Sequence, residues 1–227
     1  MTSRKVTFGE LFGEAGDLAT RHAGLLALVT VAITATFLGF DWLELRSDER
    51  NGTALLSNLS GVVIAIFVQY KVVERLLADR WKSGQAVGVR RYGSLFGSLF
   101  VSGLAIGAGL ILFILPGVYF AGRWLTSTQQ IVERQMSAMD SLRTSWEDSK
   151  ASQWVFTAAN LIGLLPTAVV VGLTLQPDAI VLPGGYWGAN AFINGLAAIG
   201  NVVSWVIATA AYRLAVPFTG HLDTVFD

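Results

Sequence analysis

The chain has 227 residues, 53% of them hydrophobic and only 14% charged, and its mean hydropathy is +0.55. Soluble domains carry about a quarter charged residues, so this composition points to a helical membrane protein and away from a soluble enzyme. A net charge of +0 offers no field to recruit nucleic acid, and the absence of Cys removes disulfides, thiolate catalysis and iron–sulfur ligation.

The first 22 residues contain basic side chains but no apolar core followed by a small-residue cleavage site, so they do not read as a signal peptide. Val6, Leu11, Ala15 and Leu18 can share one helical face, with Phe8 and Phe12 beside it and Glu10, Glu14 and Asp17 toward water. The pattern predicts an amphipathic helix over 1–22 lying at the membrane surface, the alternative being a frayed tail.

Residues 23–217 read as a single membrane domain, followed by a tail over 218–227. A bilayer core of about 30 Å asks for about 20 mostly apolar residues per helix. Residues 24–43, 53–77, 95–115, 153–175 and 191–216 meet this. Residues 117–133 are long enough for a thin or tilted crossing, yet Arg123, Thr126, Ser127, Thr128, Gln129 and Gln130 make them polar.

Basic residues bear on that segment. If it crosses, both termini share a side with Arg4, Lys5, Arg21, Lys71, Arg75, Arg80, Lys82, Arg90, Arg91, Arg134, Arg143, Lys150 and Arg213. Only Arg46 and Arg50 then face the other way. If it does not cross, Arg134, Arg143, Lys150 and Arg213 change sides. The positive-inside bias favours an all-α bundle of six transmembrane helices with cytoplasmic termini, and five spans plus a re-entrant or interfacial helix is the alternative. The basic stretch holding Arg80, Lys82, Arg90 and Arg91 enforces that topology and is a candidate contact for anionic lipid headgroups.

Helices in lipid associate through close backbone approach and polar contacts. In the third span Ser94, Ser98 and Ser102 form a row of small residues, and Gly93–Gly97 and Gly103–Gly107 each make a GxxxG step. A neighbouring helix, from the same chain or a partner, is expected against that ridge. The last span carries Gly200, Ser204 and Ala208 at four-residue steps, with Asn190, Asn194 and Asn201 as a polar stripe that Asn160 is placed to meet. Pro116–Gly117 should end or bend the third helix. LPGVY at 115–119 is echoed by LPGGY at 182–186, a weak hint of duplication.

The ordered series LPGVY, Arg123-Trp124, Ile131-Val132-Glu133, and then Ala138, Ser141, Leu142, Ser145 and Trp146 resembles the membrane domain found beside glycerophosphoryl diester phosphodiesterases and its stand-alone bacterial relatives. The likeness covers roughly residues 110–154. It implies a six-helix module of the bacterial inner membrane, without established catalytic residues and without the phosphodiesterase itself.

No Walker loop, GxSxG, HExxH or intramembrane carboxylate pair is present. His22 and His221 have no acidic cluster near them, so no metal site or other cofactor is expected. Arg123 is the ionisable group at membrane depth and should be paired, snorkelling or functional. Gln129, Asn160 or a carbonyl freed by Pro116 are the expected partners, and a phosphate or substrate anion is the functional reading. Residues 137–150 should form an amphipathic helix with Met136, Met139, Leu142, Arg143 and Trp146 on one face. These features predict a non-catalytic membrane protein that acts by binding, as an accessory or assembly subunit or a lipid-interacting module. Its expected partners are membrane lipids and another membrane protein or a second copy of itself. A small transporter or lipid-moving protein using Arg123 and the Pro-broken helices is the rival reading, and a membrane enzyme has the least support.

Overall fold

The computed structural model of the chain describes residues 4–46, 50–80, 91–175 and 185–216. Among them every regular element is helical: α1 Phe8–Arg21, α2 Ala23–Arg46, α3 Arg50–Leu76, α4 Tyr92–Leu112, α5 Ile114–Arg123, α6 Ser127–Arg134, α7 Ala138–Asp148, α8 Gln153–Leu175 and α9 Gly185–Ala215. Among the described residues five stretches are long and apolar enough to cross a membrane: Ala23–Arg46, Leu55–Leu76, Tyr92–Leu112, Lys150–Leu173 and Trp187–Ala215. Residues 117–133 do not form a sixth such helix. They are divided between α5 and α6, with a turn at Trp124–Thr126.

The break between α4 and α5 falls at Phe113, whose extended backbone (φ −156°, ψ 122°) folds the chain back on itself. This is three residues before the expected Pro116. Pro116 sits in the first turn of α5, where a missing N–H leaves no helical carbonyl without its donor. Gly117 serves close packing instead: a methyl group there would lie 2.6 Å from the Leu110 nitrogen, and one on Gly109 would lie 2.8 Å from Gly117 Cα. With no side chains between them, α4 and α5 form a tight antiparallel hairpin. Its tip is bare, with Ile111, Leu112, Phe113 and Leu115 each more than 70% exposed.

Buried side chains concentrate at one end of the molecule. Tyr70, Val73, Leu76 and Leu77 from α3 and its C-terminal turn meet Ile131 and Val132 of α6, Ala210, Ala211 and Tyr212 of α9, and Leu11 and Leu18 of α1. The long helices carry little burial elsewhere, and Leu28, Val31, Leu56, Leu104, Leu165 and Val171 stand exposed along them. Apolar surface of that extent is stable only in an apolar solvent, which a bilayer provides.

Two expectations about amphipathic helices change here. The α1 face of Leu11, Ala15 and Leu18 does not lie on a membrane. It is buried in the protein, and Val6 is buried with it, while Phe8 and Phe12 remain exposed. A capping box at Thr7 and Glu10 starts this helix, so it is not a frayed tail. In α7 the buried side is Ser141, Leu142 and Ser145, whereas Met139 and Arg143 are exposed. Gly97 of α4 lets this helix approach closely, since a methyl there would stand 3.3 Å from Ala138 Cβ, and Ser145 turns toward the α5–α6 break. Close approach outweighs hydrophobicity in choosing that face.

Candidate functional site

Arg123 ends α5 and is 2% exposed. Its Nη1 donates to Gln153 Oε1 at 3.0 Å, its Nη2 donates to the Trp146 carbonyl, and its guanidinium lies 4.3 Å from the Trp146 ring centroid. Tyr119 donates its hydroxyl to the same Gln153 oxygen at 3.1 Å. Phe120 and Trp124 stack 5.4 Å apart and close an aromatic box with Trp146. No carboxylate lies within ion-pair distance of Arg123 among the described residues, and its Nε has no partner.

Magnitudes decide how this cation is held. Even at the centre of a span, an arginine would cost only about 2.5–3.5 kcal/mol on insertion scales. Hydrogen bonds to a charged donor contribute about 1.5–3 kcal/mol each, and a desolvated cation–π contact adds up to about 2. Two such bonds and one aromatic face offset the penalty, so Arg123 needs no counter-ion to stay buried.

The α5–α6 break is satisfied by α7. Ser145 and Ser149 donate their hydroxyls to the Arg123 carbonyl at 2.9 and 3.2 Å, and Thr126 Oγ1 lies 2.9 Å from Ser145 Oγ. Serine hydroxyls thereby satisfy a backbone carbonyl that the break in the helix has freed. The polar α6 residues are likewise paired across helices. Gln129 donates to Thr209 at 3.2 Å, Gln130 to Asp148 at 2.6 Å, and Thr128 accepts from Gln69 at 3.2 Å. Gln135 ends α6 in the left-handed region (φ 54°) and donates to the Val132 carbonyl and the Tyr70 hydroxyl.

A second cluster ties the helix ends together. Arg80 pairs with Glu133 at 2.7 Å and donates to the carbonyls of Arg213 and Val216, while Tyr212 donates to the same Glu133 carboxylate. Arg213 bridges Glu14 of α1 at 2.6 Å and Asp79 at 2.6 Å. The Arg213 hydrogen bonds hold the Asp79 carboxyl below its usual range. Burial pushes Asp148 the other way, up.

These contacts place the residues singled out from the sequence. Arg123 and Gln129 are both buried but sit in separate networks, and among the described residues neither Gln129 nor Asn160 hydrogen-bonds to Arg123. Asn194 donates to Asp41 at 2.8 Å, whereas Asn160 and Asn201 make no hydrogen bond among the described residues and Asn201 is exposed. Ser98 and Ser102 face inward, and Gly97 meets α7. Gly93, Gly103 and Gly107 have nothing within 4 Å of where a methyl would stand, so among the described residues the Gly103–Gly107 step packs on no helix. Gly200 and Ser204 do pack, on Pro166 and Gly163 of α8. Arg80 is withdrawn into its ion pair, Arg91 is exposed, and Lys82, Arg90 and the first residues of the LPGGY echo lie outside the described residues. Gln153, Ser149, Tyr119, Tyr212 and the pairing of Glu133 escaped the sequence reading. The four-residue steps Ser141–Ser145–Ser149 were the available signal, matching the Ser94–Ser98–Ser102 row already noted.

No protein-family profile, curated protein or solved structure matches the chain.

Proposed function

We propose that this chain is a non-catalytic integral protein of the bacterial inner membrane that acts by binding, as a lipid-interacting module or an accessory subunit. The observation that carries this reading is the division of the molecule. Polar side chains at one end are largely engaged with one another, and the surface left open is the apolar flank of the spans. The resemblance of residues 110–154 to phosphodiesterase-associated membrane domains also favours a module that works beside another protein.

The end holding α1, α6, α7 and the C-terminal turns of α3 and α9 carries Arg21, Arg75, Arg80, Arg134, Arg143 and Arg213, and we assign it to the cytoplasm. On this assignment α5 and α6 together make the fourth passage, as a broken span whose turn is satisfied by α7. The chain lacks cysteine, so single cysteines at Ala78, Met139 and Arg46 can be labelled without background. Ala78 and Met139 should react from one side and Arg46 from the other. Opposite sidedness of Ala78 and Met139 removes the broken passage.

Isolation from native membranes in mild detergent tests the function. Stoichiometric phospholipid or a second protein should accompany the chain, and a bare monomer refutes the proposal. A transporter reading draws on the buried guanidinium of Arg123 and its unpartnered Nε. Arg123→Met separates the two: a binding module keeps its ligand, whereas a transporter still assembles but loses flux.

A further inference from the structure

Between α3 and α4 lies an open cleft of about 250 Å³, lined by Val62, Ala65, Ile66 and Gln69 on one side and Phe96, Leu99 and Phe100 on the other. We propose that this cleft holds one acyl chain of an anionic phospholipid whose headgroup phosphate meets Arg91. The inference rests on the lipid-interacting reading and gives it a site.

The cleft has the shape and chemistry of a tail site. Its α3 wall repeats at steps of three and four residues, and the eight residues from Val62 to Gln69 extend about 10 Å along the helix. Its α4 wall is the stacked pair Phe96 and Phe100, with centroids 6.1 Å apart. Apart from the Gln69 amide, every lining side chain is apolar. Both walls belong to stretches long and apolar enough to span a bilayer, so the cleft opens sideways into the acyl region.

Size and charge choose the occupant. A helix with side chains is about 10–12 Å across and would fill roughly 800 Å³ over the same length, more than the cleft offers. An extended hydrocarbon chain is narrow enough. At the basic end Tyr92 packs on Phe67 and Tyr70, at 4.4 and 4.7 Å between centroids, and forms the rim. Arg91 immediately precedes it, about one turn and a half beyond Phe96, exposed and without an ion pair among the described residues. A guanidinium there is placed to take a phosphate oxygen at the level where the tail leaves the cleft.

The test uses the full chain purified in mild detergent and exchanged with phosphatidylglycerol or phosphatidylcholine, with bound lipid counted by native mass spectrometry. One phosphatidylglycerol should remain bound under conditions that strip phosphatidylcholine. Ala65→Phe, which fills the cleft, should lower its retention at least tenfold, and Arg91→Gln should abolish the preference for phosphatidylglycerol. Unchanged retention in Ala65→Phe overturns the site, even where the wild-type chain carries lipid. A wild-type chain with neither lipid nor protein partner overturns the underlying reading as well. Because Ala65→Phe can perturb folding, the unmodified chain is also cross-linked with phosphatidylglycerol bearing a diazirine in its tail. Adducts concentrated on 62–69 and 96–100 support the cleft, and an even spread over exposed residues such as Leu28, Val31 and Leu165 refutes it.

Discussion

Replacing Gly122 by alanine is the sharpest test of how the broken passage is held. A methyl group there would stand 2.6 Å from Thr157 Cα and 2.8 Å from its nitrogen, backbone atoms of α8 that cannot rotate aside. Overpacking of this kind costs about 1–3 kcal/mol, and the better helix propensity of alanine returns at most about 1 kcal/mol. A net loss of about 1–2 kcal/mol corresponds to a fall of roughly 2–8 °C in Tm at this chain length. Gly103→Ala is the matched control, since its methyl would meet nothing within 4 Å. It should leave the melting temperature unchanged or raise it by a few degrees. Circular dichroism melts of the two variants in one detergent decide the matter. A Gly122→Ala protein as stable as wild type would refute the close α5–α8 contact. A destabilised Gly103→Ala would mean that the Gly103–Gly107 step packs on a second molecule.

The remaining predictions address the ion pairs. Glu133→Gln removes the Arg80–Glu133 ion pair at a site where both side chains are at most 13% exposed, and breaking such a buried pair should cost about 3 kcal/mol, read as a lower midpoint in denaturant titration. Asp148 is pushed up by burial, so its ionised form opposes folding at neutral pH. Asp148→Asn keeps an acceptor for Gln130 and should match or exceed wild-type stability at pH 7, with the difference shrinking as the pH falls and the wild-type carboxyl takes up its proton. Asp79 is held down by Arg213, so its contribution is present above the ordinary carboxylate pKa and is lost as the pH falls through the depressed value. The protection of α1 amides, corrected for the intrinsic exchange rate at each pH, should therefore fall below about pH 4 and stay unchanged between pH 6 and 8, since Arg213 joins Asp79 to α1 through Glu14. Because Asp79 is half exposed, that effect should be small.

The membrane class and the long apolar helices were legible in composition and hydropathy alone, because a span must be apolar over some 20 residues whatever it packs against. Packing positions such as Gly200 and Ser204 were legible for a related reason, since small side chains are what close helix contact requires. The tertiary structure alone decided which faces are covered. Leu11 and Leu18 could have met lipid headgroups or protein with equal local chemistry, and only the arrival of α9 settles it. Arg123 shows the same limit: its partners Gln153 and Trp146 lie 30 and 23 residues away, and no helical period links them. Glycine steps signal the capacity for close approach, but Gly103 and Gly107 stand open while Gly109, Gly117 and Gly122 are packed. Which of them is used depends on where the chain turns at Phe113, a property of the folded hairpin rather than of any local stretch.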